Sequence, residues 1–172
     1  TTEYAEELLR GLDKLEDWPE TTKKIQSNWI GKSNGSEIRF MDAYGKFDIS
    51  VFTTRPDTIN GVSYIVVAPE SDLVTQITKE EYREDVRKYI EQTGRLTEIE
   101  RLSSEREKTG VFTGAYVVNP INGEKIPVWI ADYVLDDYGT GAVMAVPAHD
   151  KRDYEFAKKY KLTIKEVILG NE

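Results

Sequence analysis

Cysteine is absent from the chain and histidine occurs once, as His149. The first absence excludes disulfides and thiolate zinc sites and favours a reducing compartment, so a cytoplasmic setting is expected. The second leaves a metal-dependent hydrolase built on His149, Asp150 and Asp153 short of the several His or Cys ligands that such sites recruit. No apolar run is long enough to span a bilayer and no basic-then-apolar leader is present, so no membrane partner is expected. A G-x-S-x-G elbow is missing too. Gly31-Lys32-Ser33 has the look of the tail of a phosphate-binding loop, but the glycine required five residues earlier is Gln26. No cofactor is therefore expected. Lys and Arg number 23 against 31 Asp and Glu, a net charge of −8. That balance argues against a large phosphate-gripping surface, although a local patch at Arg55, Lys151 and Arg152 could still meet the end of a nucleic acid.

What is present describes an ordered protein. Of the 172 residues, 39% are hydrophobic, and ten tyrosines favour a β-rich body. Tyr4, Ala5, Leu8, Leu9, Leu12 and Leu15 fall on one helical face, and a second short helix is predicted from about Glu20 to Trp29, with Pro19 in its first turn and Gly31 as its stop. Residues 1–34 are read as a helical flank and linker, and 35–172 as the main body. From Ser36 to Phe52 the pattern is strand, turn at Tyr44-Gly45, strand. Val62 to Ala68 follows as a buried strand. Thr78 and Glu81 are read as a capping box for a helix through Tyr82, Val86, Tyr89 and Ile90, and Thr97 to Glu107 as a solvated helix or arm. Strands are predicted again at Val111-Phe112, Tyr116 to Val118, Ile126 to Ala131, Tyr133 to Leu135, Ala142 to Val146 and Thr163 to Leu169, with a helix from Asp153 to Tyr160. Short turns between most strands, with helices inserted at intervals, imply an α+β fold with a β-barrel-like core decorated by helices.

Two stretches carry chemistry. Thr53-Thr54-Arg55-Pro56-Asp57-Thr58 is a polar loop between strands, stiffened by Pro56, that presents three hydroxyls, a guanidinium and a carboxylate. Taken singly, each threonine could equally serve strand-end propensity or turn capping. Pro147-Ala148-His149-Asp150-Lys151-Arg152-Asp153 follows a strand and opens a helix. Asp150 suits the N-cap, and Asp153 sits in the first turn, where backbone N–H groups and the helix dipole favour an ionised carboxylate able to hold an ammonium group. An Asp there is most often only a helix-starting device. His149 could be a base, a ligand or a structural hydrogen-bonding group.

Together, Thr53 to Thr58 and Gly139-Thr140-Gly141-Ala142-Val143-Met144-Ala145-Val146-Pro147-Ala148-His149-Asp150-Lys151-Arg152-Asp153 resemble the threonine-rich and GTGAV…HDxRD motifs of the editing domain of leucyl-tRNA synthetases, most closely the bacterial type. Trp29 to Ser33 is similar to the linker that enters that inserted domain. Isoleucyl and valyl enzymes carry looser versions, and the wording Tyr138 to Met144 favours leucyl. The resemblance implies the class I synthetase editing-domain fold and hydrolysis of the ester of mischarged tRNA(Leu), with the 3′ aminoacylated end of the tRNA and the remainder of the synthetase as partners. It gives Asp153 the substrate's α-ammonium and Thr58 the exclusion of leucine. Thr53, Thr54 and Arg55 fall on pocket and adenosine-end positions, Tyr138, Met144 and Val146 on the side-chain pocket or its rim, and Asp150 near the terminal ribose. His149 is carried over as part of the motif. The HIGH and KMSKS signatures are missing from this chain, which implies no synthetic activity of its own. Readings of another kind are a module that binds aminoacyl-adenosine without hydrolysis, or a structural insert.

Overall fold

Strands β1 (Ser36–Asp42) and β2 (Asp48–Thr53) form the predicted hairpin, in register from Ser36 opposite Thr53 to Met41 opposite Asp48. Its turn closes where expected. Gly45 takes φ +67° and donates its N–H to Asp42 O at 2.9 Å, while the Asp42 carboxylate accepts from Tyr44 N. This computed structural model describes residues 4–31, 35–103, 106–136 and 139–169. Lys32, Ser33, Tyr138 and part of the 97–107 segment, all invoked from the sequence, lie outside them.

Two units make up the chain, Thr1–Asn34 and Gly35–Glu172. The first holds α1 (Ala5–Leu12) and α2 (Glu20–Ile30), neither with a buried residue. Leu15 lies beyond the end of α1, and Pro19 stands at the N-cap of α2 rather than in its first turn. Gly31, at φ +63°, ends α2 by donating to Ser27 O.

In the second unit a 3-10 turn (Pro56–Gly61) leads into β3 (Tyr64–Val67). Next come α3 (Leu73–Ile77), a 3-10 turn at Glu80–Tyr82, α4 (Arg83–Thr93) and α5 (Glu98–Leu102). Strands β4 (Gly110–Val118), β5 (Lys125–Ala131) and β6 (Ala142–Ala145) and helix α6 (Lys151–Tyr160) complete it. The six strands form one mixed sheet in the order β2-β1-β4-β5-β3-β6. Only β3 and β5 are parallel. The edge strands β2 and β6 approach to within 8 Å between Cα atoms, so the sheet curls towards a barrel with helices around it. Among the described residues no helix is long and apolar enough to cross a membrane.

Strand β3 shows why the sheet holds. Ile65 and Val67 enter one apolar cluster with Phe40, Ile49, Val51 and the helix residues Val74, Ile77 and Val86. Tyr64 and Val66 enter another with Tyr133, Phe156 and Ala157 of α6. All four strand residues have no exposed surface, as a strand covered on both faces requires. Each such side chain contributes about 1.5–3 kcal/mol by leaving water.

Four expectations are corrected. Thr78 does not start a helix but closes one: as the C-cap of α3 its hydroxyl donates back to Val74 O at 2.6 Å, and α4 starts at Arg83 after the 3-10 turn. The capping box stands instead at Thr97 and Glu100, where both reciprocal bonds are made and α5 begins. Residues 133–135 are not a strand, because the carbonyls of Asp132 and Val134 are taken by the Arg101 side chain. Residues 163–169 pair with no strand either, since the two sheet edges face one another and leave no open ladder. The two short strands predicted at 111–112 and 116–118 are one strand with a register shift between Phe112 and Tyr116.

That irregularity rests on Gly114, at φ +79°, where an added Cβ would lie 2.4 Å from Tyr82 Cδ2. Gly114→Ala should therefore cost about 1–3 kcal/mol, read as a lower urea midpoint. An unchanged midpoint would mean that the ring and backbone accommodate the methyl group.

Candidate functional site

The two motifs meet at one end of a strand pair. Strands β3 and β6 run antiparallel with Tyr64 opposite Ala145, and Ser63 donates its N–H to Ala145 O at 3.0 Å. The loop that enters β3 and the loop that leaves β6 therefore emerge side by side.

On the first loop, Thr53 Oγ1 accepts the Arg55 N–H at 3.0 Å. The Arg55 guanidinium holds Asp57 through Nε and Nη2, at 2.9–3.2 Å, and both side chains are exposed. That bond keeps the Asp57 carboxylate below its ordinary range and raises the guanidinium in turn. Thr54 is exposed. Thr58 has no exposed surface, and its hydroxyl donates to Arg55 O at 2.8 Å. The turn is further tied by Asn119, a buried residue between β4 and β5, whose side chain donates to Ile59 O at 2.8 Å.

On the second loop, Asp150 is the N-cap of α6, accepting from the N–H groups of Arg152 at 2.8 Å and Asp153 at 3.1 Å, as the sequence suggests. His149 Nε2 accepts the Val167 N–H at 3.4 Å. Asp153 is 6% exposed. One of its carboxyl oxygens accepts the Val146 N–H at 2.9 Å and the other faces the Tyr133 hydroxyl at 3.4 Å. Burial, and then the charge of Asp150, push its pKa from 3.8 up to about 7; the Val146 N–H, Arg152 and Tyr133 oppose the shift. From sequence alone the helix terminus favours the ionised form. Desolvation outweighs it, because one backbone donor and a long hydroxyl contact replace the water that an exposed first-turn carboxylate would keep.

The remaining candidates are spread more widely. Met144 is a core side chain, 7% exposed, and Val146 is half-buried against the same cluster. Two concavities, of about 430 and 450 Å³, are lined by Val62, Ser63, Lys125 and Lys161 among others, and by Leu9, Leu12 and Lys24 among others. None of the residues singled out in the motifs lines either. No group of three His, Cys, Asp or Glu among the described residues is placed to hold a metal. Sequence reasoning missed Asn119, Tyr64 and Tyr133. For Tyr64 a signal existed: it is the one side chain with a polar tip in the strand Tyr64-Ile65-Val66-Val67.

Comparison with known proteins shows the family. The family model for the leucyl-tRNA synthetase editing domain matches residues 27–172. A leucine–tRNA ligase of Clostridium kluyveri is 59% identical over 169 residues, covering 98% of this chain and 21% of the relative. One from Borrelia hermsii is 58% identical over 167 residues, covering 97% and 20%. The chain thus spans about a fifth of the length of the curated relatives it matches. Among solved structures, LeuRS in the ternary complex of Agrobacterium radiobacter K84 agnB2 LeuRS, tRNA and LeuAMS matches with a TM-score of 0.80 and 41% identity, over 96% of this chain and 20% of that one.

The carboxyl of Asp153 should leave a signature in stability. Because its folded pKa lies above the ordinary 3.8, its contribution is full below about pH 4 and is lost as pH rises through about 7. Asp153→Asn should remove that loss. Denaturation midpoints should show the variant gaining on the native chain between pH 4 and pH 8, by at most on the order of 4 kcal/mol. Parallel curves would show that the carboxyl is hydrated.

Proposed function

The chain belongs to the leucyl-tRNA synthetase editing-domain family, and on that premise we propose that it hydrolyses the ester of tRNA(Leu) charged with a noncognate amino acid such as isoleucine, norvaline or methionine. The observation that carries this reading is the buried Asp153 carboxyl, poised near neutrality beside the loop that bears Thr58. A carboxyl held at a pKa of about 7 is only partly ionised by itself, and an arriving α-ammonium favours its charged form. The interaction therefore rewards a free amino group directly.

A synthetic site gains only about 1–3 kcal/mol from one methylene, so a second site that rejects the correct side chain by shape completes the discrimination. Thr58 supplies that rejection. Its hydroxyl is spent on Arg55 O, which leaves the methyl of a rotamer-restricted side chain as the barrier. Thr58 is enclosed, so this role requires its cover to part for a substrate side chain. Thr53 and Thr54 contribute hydroxyls at the ester, and Arg55, Asp150 and His149 meet the adenosine end. Val146 and Met144 shape the side-chain pocket, and the resemblance adds Tyr138, which lies outside the described residues. Among the described residues the hydrogen bonds of the motif threonines run to the backbone and not to a general base, so hydrolysis proceeds by positioning. The anchored ammonium fixes the ester, while hydroxyls, backbone N–H groups and a ribose hydroxyl of the substrate orient water and support the oxyanion. Residues 1–34 form the flank that joins this unit to the remainder of the synthetase.

Two substitutions in the full-length enzyme test the assignment. Thr58→Ala should make leucyl-tRNA(Leu) a substrate, with deacylation rising at least about tenfold for the removed methyl. Asp153→Ala should lower kcat/KM on isoleucyl-tRNA(Leu) by about 100-fold, the worth of a charge-assisted hydrogen bond, with the melting transition kept. Intact leucyl-tRNA in the first case, or undiminished deacylation in the second, would overturn the corresponding role.

A further inference from the structure

The Asp153 carboxyl is held from a direction that the motifs do not mark. Tyr64 (β3) and Tyr133 (the segment after β5) have 0% and 5% exposure, and their hydroxyl oxygens lie 3.3 Å apart. Tyr64 donates to the backbone O of Asp153 at 3.1 Å, which uses its only proton. The Tyr133 proton is then free to point at Asp153 Oδ1, 3.4 Å away. Burial raises the pKa of both phenols, so both stay neutral donors. When Asp153 is protonated the pattern can reverse, with the carboxyl donating to Tyr133 and Tyr133 turning to Tyr64. Either state of the carboxyl is satisfied with no movement of heavy atoms.

Tyr133 lies in a segment without strand partners, so something else must hold it. That is Arg101, 4% exposed, whose Nε donates to Asp132 O and whose Nη2 donates to Val134 O, both at 2.7 Å. The two carbonyls flank Tyr133. A planar fork that spans residues i and i+2 does for this segment what a neighbouring strand would otherwise do. Glu70 pairs with Nη1 of the same guanidinium, and Lys108 Nζ donates to the carbonyls of Arg101 and Ser103 at 3.0 and 2.6 Å. The Asp132 carboxylate, fully buried, fixes the segment from the other side through Thr109 N and Oγ1 at 3.0 and 2.7 Å.

From this geometry we infer that Tyr133 is a positioning residue for the Asp153 carboxyl, and that Arg101 is the brace that keeps Tyr133 within reach of it. The inference rests on the editing reading for its consequence in catalysis, and on the geometry alone for the coupling itself. The groups that face the carboxyl are Asp150 and Arg152 from its own helix and loop, Tyr133, Tyr64 and the Val146 N–H. Only Tyr133 reaches a carboxyl oxygen from outside that loop among these contacts.

The experiment follows Asp153 by two independent routes. In the 172-residue chain, the carboxyl carbon of Asp153 is titrated by 13C NMR. In the full-length enzyme, the pH profile of kcat/KM for isoleucyl-tRNA(Leu) is recorded, its acid limb reporting loss of the ionised anchor. Tyr133→Phe removes the donor to the charged form, so both the titration and the acid limb should move to higher pH by roughly half a unit to one unit. Arg101→Lys cannot span both carbonyls and should produce the same displacement, with no further shift in the double variant. Should Arg101→Lys fail to fold, Arg101→Gln takes its place, since one amide group cannot reach both carbonyls. A Tyr133→Phe chain that is less stable but titrates as the native one overturns the positioning role. A shift with Tyr133→Phe but none with the Arg101 variant overturns the brace. If the native enzyme deacylates nothing while the NMR shifts appear, the editing reading fails and the coupling stands.

Discussion

A carboxyl that is buried and yet has its pKa raised only to about 7 is the feature around which this chain is arranged. Asp153 has lost nearly all of its water and receives in return one backbone N–H and one phenol. In an apolar interior such a group would simply remain neutral, and on an exposed helix terminus it would simply be charged. The intermediate condition needs a polar lining of limited strength. It also needs rigidity, since a small loosening would admit water and return the carboxyl to ordinary behaviour. Much of the fold supplies that rigidity: α6 packs Phe156 against Tyr64 with ring centroids 5.1 Å apart and against Tyr133 at 5.7 Å, so the helix that carries the carboxyl and the phenols that face it share one aromatic cluster.

The same arrangement accounts for the doubly covered strand β3. Its outward and inward side chains belong to different cores, and it is the strand whose start meets both motif loops. A site built at the end of a strand locked on both faces inherits the precision of two cores. Hydrogen bonds local to each loop, such as Thr58 to Arg55 O and Asp150 to the first turn of α6, then set the finer geometry without calling on long side chains.

Elements whose signals are local were legible in the sequence. The β1–β2 hairpin has alternating apolar residues and a glycine turn, β3 and β6 are unbroken apolar runs, and Asp150 sits where a cap should be. The two motif loops were legible through resemblance, and strand pairing brings them side by side, although Met144 proves to be a core side chain and Thr58 is fully enclosed. What stayed hidden depended on distant partners. The T-x-x-E pattern occurs both at Thr78 and at Thr97, and only packing decides which one starts a helix and which one ends one. Tyr133 to Leu135 and Thr163 to Leu169 look like strands, but strands need edges, and a side chain 31 residues away or a curled sheet removes them. The direction of the Asp153 shift was hidden for the same reason: the helix terminus is visible in the sequence, whereas the depth of burial is not.

The unpaired stretch after α6 has a mechanical meaning. Val167 lays its side chain against Gly61, where a Cβ would come within 2.9 Å of it, and offers its amide to His149. One residue therefore clasps the turn that bears Thr58 to the loop that precedes Asp153. The gap between those loops is thus fastened from outside the sheet, and any pull on the strand-free tail is delivered to both jaws at once.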